Sequence, residues 1–372
     1  YYLSIDHASS FDTFERYLRN YGGQVRVIRL HSGTARPTAT LLRAVAKHCP
    51  QLLVLQCRSC QLDSTIRDVL ISCNRLVELD LYYGDTTTMT AQDLTGIFCP
   101  ALQHIELHDC FDVALTAAYL TLAPNATTML LDGSPVSSQD QPEPSPVLSC
   151  INPNVTNLGL SFAALSDDQL ISIVDRCPKI ETMNLCAVNL ITERGVRHMV
   201  QQLKHLSALE LSFNEGVDDS CLEIVVAHCA SRLTELNIFD IPVTATAINN
   251  ALSSLTTLKS LGITCTKIET PTESRLDISL WKNITNLRVF DESLESELFL
   301  ASVSQSCPNL VDFNYHQNDM CCIPYLYCVV ERCRELTVLQ VTTELHGDFI
   351  VNEFIRYVKN KSPQLKLTCV GV

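Results

Sequence analysis

The chain has 372 residues, 46% of them hydrophobic and only 6% aromatic, and it carries a formal net charge of −14. The acidic balance excludes a nucleic-acid-binding role, which needs a basic surface, and it disfavours an anionic membrane surface. No apolar run approaches the roughly 18 residues that a membrane-spanning helix requires. A core rich in Leu, Ile and Val but poor in aromatic residues fits thin stacked layers better than one round nucleus.

One apolar pattern returns along the chain, with apolar residues at its first, fourth and sixth positions, as in Leu52, Leu55 and Cys57. Copies begin at the following residues: Val25, Leu52, Leu76, Leu102, Val155, Ile180, Leu206, Leu233, Leu258, Leu287, Leu310, Leu336 and, in degraded form, Leu365. The spacing of about 26 residues is typical of leucine-rich repeats. The double gap before Val155 predicts a weak copy at 128–131, and the opening residues 1–5 are expected to form one more strand.

Helical patterns follow the strand patterns. Leu94, Ile97 and Phe98 have the apolar spacing of one helix face. Ser166, with Gln169 three residues later, predicts a capping box at the start of another helix, and Asp219 is expected to repeat this start.

Alternating strands and helices at this period predict an α/β fold, a leucine-rich-repeat solenoid. Its form would be a horseshoe of about 13–15 repeats, with a parallel concave sheet and convex helices. We expect a single domain over 1–372, with a Pro-rich loop insertion at about 132–150. Ser134 and Ser145 precede prolines, so that loop is either a tolerated insertion or a site of proline-directed phosphorylation.

Cysteine occurs at fixed phases of the repeat, which predicts buried, reduced thiols and a reducing compartment. Cys-Pro pairs precede strands at Cys49, Cys99, Cys177 and Cys307, Cys73 and Cys333 share their phase, and Cys60 and Cys110 occupy the phase of Asn214. This pattern resembles the cysteine-containing leucine-rich repeats of F-box/leucine-rich-repeat proteins, the substrate receptors of cullin-based ubiquitin ligases. The resemblance covers 25 to about 370 and includes no F-box.

The resemblance implies a protein-binding module that serves as the substrate-recognition part of an SCF-type ubiquitin ligase receptor in the cytoplasm, the nucleus or both. A cullin adaptor would be reached through an F-box outside this chain, which opens at Tyr1 without an initiator Met and is interpreted as a fragment or a processed chain. The alternatives are a stand-alone repeat scaffold or regulator without a ubiquitin link, and an extracellular recognition domain.

The third, fifth and seventh positions of each copy alternate with the apolar ones and are predicted to line the concave face, where a protein substrate would bind. The candidate residues are Arg29, His31, Gln56, Arg58, Glu78, Asp80, Tyr82, His104, Glu106, His108, Glu235, Asn237, Phe239, Asp312, Asn314 and His316. Asp80 and Glu106 are expected to lie about 5 Å apart across the ladder. We expect this part of the face to hold a basic or hydrogen-bonding segment, with an ordinary solvated strand face as the alternative, and we expect Phe239 to be exposed.

Patterns that would carry catalysis, a cofactor or a metal ion are not found in the sequence. Cys57 and Cys60 form a CxxC without a second pair, and Cys321-Cys322 is isolated, so both are interpreted as structural thiols. His104 and His108 have the spacing of metal ligands on a helix, but on a strand they would lie about 13 Å apart. An acid/base pair of Asp80 and Glu106 on an open sheet lacks the desolvation that separates two carboxyl pKa values. The sequence therefore predicts a protein that is not an enzyme.

Overall fold

The computed structural model describes residues 2–5, 11–31, 38–60, 62–83, 88–110, 112–133, 146–265, 276–291, 296–317, 323–343 and 348–371. These residues divide into two compact units, the first formed by 1–191 with 202–205 and the second by 192–201 with 206–372. Ser134, Ser145, Cys321 and Cys322 lie outside the described residues. The assignment of a single domain to 1–372 stays a prediction.

The first unit contains a parallel sheet whose strands follow chain order. Its strands are β1 (Tyr2–Ile5), β2 (Val27–His31), β3 (Val54–Cys60), β4 (Glu78–Tyr83), β5 (His104–His108), β6 (Thr128–Asp132), β7 (Asn157–Gly159) and β8 (Thr182–Asn184). Each strand pairs with the next one in parallel, and Leu55, Leu79 and Ile105 form one aligned row. Strands β1 and β6 confirm the expected opening strand and the weak copy at 128–131.

Helices connect these strands. They are α1 (Phe11–Tyr21), α2 (Thr38–His48), α3 (Ile66–Ser72), α4 (Val113–Leu122), α5 (Pro146–Cys150) and α6 (Asp167–Arg176), with 3₁₀ turns at Gly22–Gln24 and Ala91–Leu94. Neighbouring helices pack on one another, as α1 does on α2 and α2 on α3. Because parallel strands need right-handed crossovers, the helices share one side of the sheet and leave its other face open.

The second unit repeats this organisation. Its strands are β9 (Ala208–Glu210), β10 (Glu235–Ile238), β11 (Ser260–Cys265), β12 (Asn286–Asp291), β13 (Asp312–Gln317), β14 (Val338–Thr343) and β15 (Lys366–Gly371), each in parallel with the next. Its helices are α7 (Glu193–Gln202), α8 (Asp219–Cys229), α9 (Ala245–Ser254), α10 (Ser296–Ser306), α11 (Ile323–Arg332) and α12 (Asp348–Lys361), with a 3₁₀ turn at Ile278–Trp281.

The two units confirm the predicted leucine-rich-repeat fold. Fifteen strands are described, which agrees with the predicted number of repeats. Strand side chains alternate between fully buried and half-buried positions, as in β5 with its buried Ile105 and Leu107. Each Å² of apolar surface removed from water contributes about 25 cal/mol, so the buried side chains of each strand contribute most of the stability of its repeat.

Three details of the predicted repeats differ in the structure. Leu287 lies opposite Phe313 in the aligned sheet, so its repeat starts at Ile284 and not at Leu287. Leu367 lies opposite Leu339, so the last repeat starts at Gln364 and not at Leu365. The expected helix through Leu94 and Phe98 is reduced to a short 3₁₀ turn, and Phe98 is 65% exposed. Gly96, with φ +77°, turns the backbone away from the helical path before the apolar face is complete.

The thiols at the helix ends are free and buried, as the sequence predicts. Cys73 Sγ donates to the Cys49 carbonyl oxygen at 3.3 Å, and Cys333 Sγ donates to the Cys307 carbonyl oxygen at 3.4 Å. The last carbonyls of a helix lack partners within the helix, and a thiol in the next repeat supplies a weak donor while packing as a small apolar group. This double role explains why cysteine occurs at this phase.

Helix starts follow the expected capping chemistry with one change. The Ser166 hydroxyl accepts from the Gln169 amide at 3.4 Å, and the Gln169 side chain accepts from the Ser166 amide at 3.0 Å, which confirms the capping box. The cap of α8 is Asp218 rather than Asp219, because Asp218 accepts from the Ser220 and Cys221 amides. None of the helices in the described part of the chain is both long and apolar enough to cross a membrane.

Candidate functional site

The candidate binding surface is the open face of the sheet, opposite the helices. On strands β2 to β5 its side chains come from the alternate, outward positions, and the cross-strand register places Asp80 beside Glu106 and Tyr82 beside His108. The expected juxtaposition of the two carboxylates across the ladder is therefore present. Charged, imidazole and aromatic side chains are concentrated on the adjacent strands β3, β4 and β5.

Asp80 lies at the centre of this concentration. Its side chain is 0% exposed, and Arg58 Nη2 lies 3.2 Å from its Oδ2 atom. The sequence predicted little desolvation of Asp80 on an open sheet, but neighbours on both adjacent strands cover its side chain. Burial, and then the nearby charge of Glu106, raise the pKa of Asp80, whereas Arg58 acts in the opposite direction.

Glu106 connects two histidines of its own strand. His108 Nε2 lies 2.6 Å from Glu106 Oε1, and His104 Nε2 lies 3.4 Å from Glu106 Oε2. The hydrogen bonds from His104 and His108 lower the pKa of Glu106 to about 2. The carboxylate is therefore ionised throughout the neutral range.

The two histidines differ in what perturbs them. The hydrogen bond to Glu106 raises the pKa of His104, although burial opposes it. Burial lowers the pKa of His108, but Glu106, Asp132 and Asp80 together hold it above its ordinary value. The three carboxylates around the His108 imidazole stabilise its protonated form and so raise its pKa.

Asp132 belongs to this cluster, although sequence reasoning missed it. Its Oδ2 lies 3.5 Å from His108 Nδ1, and the His108 ring stacks on Tyr82 with centroids 4.3 Å apart. Asp132 occupies an outward position of the weak repeat, opposite His108. Aligning Met129 with Ile105 in the sequence would have placed Asp132 on the open face. We call Arg58, Asp80, Tyr82, His104, Glu106, His108 and Asp132 the carboxylate–imidazole cluster.

The remaining candidates of the first unit also make specific contacts. Gln56 Nε2 donates to Glu78 Oε1 at 2.9 Å. Arg29 Nη1 donates to the Tyr2 hydroxyl at 2.8 Å, with the guanidinium 5.0 Å from the Tyr2 ring centroid. His31 is half-buried on β2 beside Arg58 in the register.

The prediction that Phe239 is exposed is wrong, because the side chain is 7% exposed. Its ring covers Gly262 on the next strand and meets Phe290 edge-on, with centroids 5.0 Å apart. Asn237 is also buried, at 5% exposed, and its Oδ1 faces the same glycine. Because Gly262 has no side chain, it leaves a hollow that the two side chains fill.

The third candidate spot lies on β13 and joins the second through aromatic rings. Asp312, Asn314 and His316 are half-buried, and the His316 ring lies 4.8 Å from the Phe290 ring. Phe290 is 37% exposed and occupies an outward position of its strand. The predicted repeat start at Leu287 places it at a different position of the repeat. Glu235 is half-buried and accepts from Asn237 Nδ2 at 3.2 Å.

Two exposed phenylalanines occupy left-handed backbone positions just after strands. Phe162 has φ +61° and is 64% exposed, whereas Phe213 has φ +60° and is 43% exposed. This conformation lets the Phe162 amide donate to the Cys186 carbonyl and the Phe213 amide donate to the Phe239 carbonyl, each at 2.8 Å. A left-handed phenylalanine is unusual, and the repeat pattern contains no signal for it.

Comparison with known proteins finds a partial sequence similarity to an F-box protein. No family model matches the chain. A stretch of 171 residues, 45% of this chain, is 27% identical to the F-box protein SKIP1 of Arabidopsis thaliana. The repeats resemble those of F-box/leucine-rich-repeat proteins. The match covers 54% of SKIP1, so the chain spans about half the length of this relative.

A structural neighbour is found in the crystal structure of the Rad7 and Elc1 complex of yeast. The two chains share 12% sequence identity at a TM-score of 0.43, over 90% of this chain and 80% of the other.

Proposed function

We propose that this chain is the substrate-recognition part of an SCF-type ubiquitin ligase receptor and that it binds a protein on the open face of its first unit. The similarity to an F-box protein supports the ligase context. The observation that carries the recognition role is the carboxylate–imidazole cluster, a fixed set of charged and aromatic side chains on a repeat scaffold. The chain would hold the substrate, while partner subunits would supply the ubiquitin chemistry in the cytoplasm or nucleus.

Two side chains of the cluster are accessible to a partner. The Arg58 side chain is 48% exposed, and Tyr82 is 37% exposed. Arginine and tyrosine are the residue types that most often dominate binding free energy at protein interfaces. Because Arg58 and the two histidines already compensate the carboxylates, we infer that the bound segment is hydrogen-bonding rather than purely basic.

The open face offers a direct test with surface variants. Arg58→Glu and Tyr82→Ala, in the full-length protein, should each lower capture of the substrate by at least tenfold, which corresponds to about 1.4 kcal/mol. Arg43→Glu, at an exposed position of α2, is the matched control and should leave capture unchanged. Asp80 is unsuitable for charge reversal, because a buried lysine there would destabilise the fold. Equal capture by all four proteins would contradict the proposal.

The ligase context needs a separate measurement. The full-length protein should co-purify with a cullin adaptor, and the bound substrate should accumulate when the receptor is depleted. A stand-alone scaffold or regulator is the second candidate function, favoured by the same open face. It would retain the captured partner without recruiting an adaptor, so the two outcomes distinguish the two functions.

A further inference from the structure

We propose that Asp80, Glu106 and His108 form a binding site for a divalent transition-metal ion, with Zn²⁺ as the best-fitting ion. The inference goes beyond the proposed recognition role and does not depend on it. One carboxylate oxygen each of Asp80 and Glu106 and a ring nitrogen of His108 all lie within 4.8 Å of one another. The metal-ligand spacing considered in the sequence joined only His104 and His108 of one strand, whereas the site combines β4 with β5.

A buried oxygen atom without a donor marks the centre of the site. Asp80 is 0% exposed, and its Oδ1 has no hydrogen-bond partner among the described residues. Arg58 occupies only the other oxygen, Oδ2. A buried carboxylate oxygen without a donor is costly, and a cation would satisfy it. His108 Nε2 lies 4.0 Å from this oxygen and 2.6 Å from Glu106 Oε1.

The surroundings of His108 match those of a metal-ligating histidine. Asp132 Oδ2 lies 3.5 Å from Nδ1, on the side of the ring away from the site. A carboxylate at this place is the usual outer partner of a histidine that binds metal through its other nitrogen. The ring orientation is fixed by stacking on Tyr82 at an interplanar angle of 16°.

The donor set selects the class of ion. One imidazole nitrogen and two carboxylate oxygens suit Zn²⁺, and Mg²⁺ or Ca²⁺ would favour oxygen donors alone. Zn–N and Zn–O bonds of about 2.0–2.2 Å place neighbouring ligand atoms roughly 3.3–3.5 Å apart. The donors now lie between 2.6 and 4.8 Å apart, so displacements of about 1 Å would bring them to that spacing, with the ion replacing the proton shared by His108 and Glu106. Water would complete the coordination.

The charge balance permits a cation despite Arg58. With His108 bound to the ion as a neutral imidazole, Asp80, Glu106 and Asp132 carry three negative charges when ionised, against one on the Arg58 guanidinium and at most one on His104. The Arg58 guanidinium contacts the other Asp80 oxygen, Oδ2, and leaves Oδ1 for the ion.

Zn²⁺ binding to the whole chain tests the proposal. The protein is freed of metal by a chelator, its accessible thiols are alkylated so that cysteine cannot compete, and Zn²⁺ is titrated in a calorimeter. Asp80→Asn and His108→Gln should each weaken binding of a single Zn²⁺ by more than tenfold. Asp132→Asn should weaken it by about tenfold, the low end of outer-partner effects. Asp68→Asn and His205→Gln remove the same donor types at exposed positions and should change nothing.

Two further readouts keep the outcome decisive. Circular dichroism of the metal-free variants checks folding, and Asp80→Asn is expected to fold because it removes a buried charge. X-ray absorption of the zinc-loaded wild type should show nitrogen and oxygen neighbours near 2.0–2.1 Å and no sulfur near 2.3 Å. Absence of Zn²⁺ binding, a sulfur shell, or unchanged affinity in folded Asp80→Asn and His108→Gln would overturn the proposal.

Discussion

Replacing Gly262 by alanine tests how the open face of the second unit is packed. A Cβ atom at this position would lie 2.7 Å from two ring atoms of Phe239 and would also collide with Asn237 Oδ1. Carbon atoms in contact prefer about 3.5–4.0 Å, so the ring would have to retreat by about 1 Å. Phe290, edge-on at 5.0 Å between centroids, restricts that retreat.

The expected magnitude follows from two opposing terms. Overpacking of this kind costs about 1–3 kcal/mol. Alanine restricts the unfolded chain more than glycine does, which offsets about 0.4–1 kcal/mol. We therefore expect Gly262→Ala to lower the free energy of unfolding by about 1–2 kcal/mol, measured by urea denaturation.

Two comparisons isolate the cause. Gly23→Ala is the matched control, because a Cβ there meets nothing within 4 Å. Adding Gly262→Ala to a Phe239→Ala background should cost clearly less than adding it to the wild type, since the ring is gone. The packing argument is refuted if Gly262→Ala is as stable as Gly23→Ala, or if its cost is the same with and without the ring.

Three further predictions concern a helix cap, a buried carboxylate and the helix-end thiols. Ser166→Ala should lower stability to urea by about 1 kcal/mol, whereas Ser172→Ala in the same helix should be neutral or slightly stabilising; equal effects would argue against the cap. Burial raises the pKa of Glu210, so its charge costs stability above that pKa. Glu210→Gln should thus stabilise the protein at neutral pH and lose this advantage in acid as the wild-type carboxyl is protonated, in contrast to exposed Glu223→Gln. The helix-end thiols should resist iodoacetamide in the native protein and react in concentrated urea, as followed by mass spectrometry; rapid native alkylation would contradict their burial. Burial raises the pKa of Cys49, Cys73 and Cys307 to about 12 and of Cys99 and Cys333 to about 11.

The open face shows how far sequence reasoning reached the candidate site. The phase rule correctly put Asp80, Glu106 and His108 on one face, because side chains alternate along a strand regardless of neighbours. It did not find Asp132 or Phe290, which lie in repeats with a weak copy or a misplaced start. The expectation of little desolvation is wrong for Asp80, and the expectation of an exposed side chain is wrong for Phe239.

The sequence by itself determined the repeat fold and which side chains enter the core. Apolar residues returning at a fixed period can be buried only when successive strands stack side by side, so this information is local to each copy. Only the tertiary structure decided which outward residues are covered. The neighbours that bury Asp80 and Phe239 are more than twenty residues away in the chain, and only strand pairing brings them into contact.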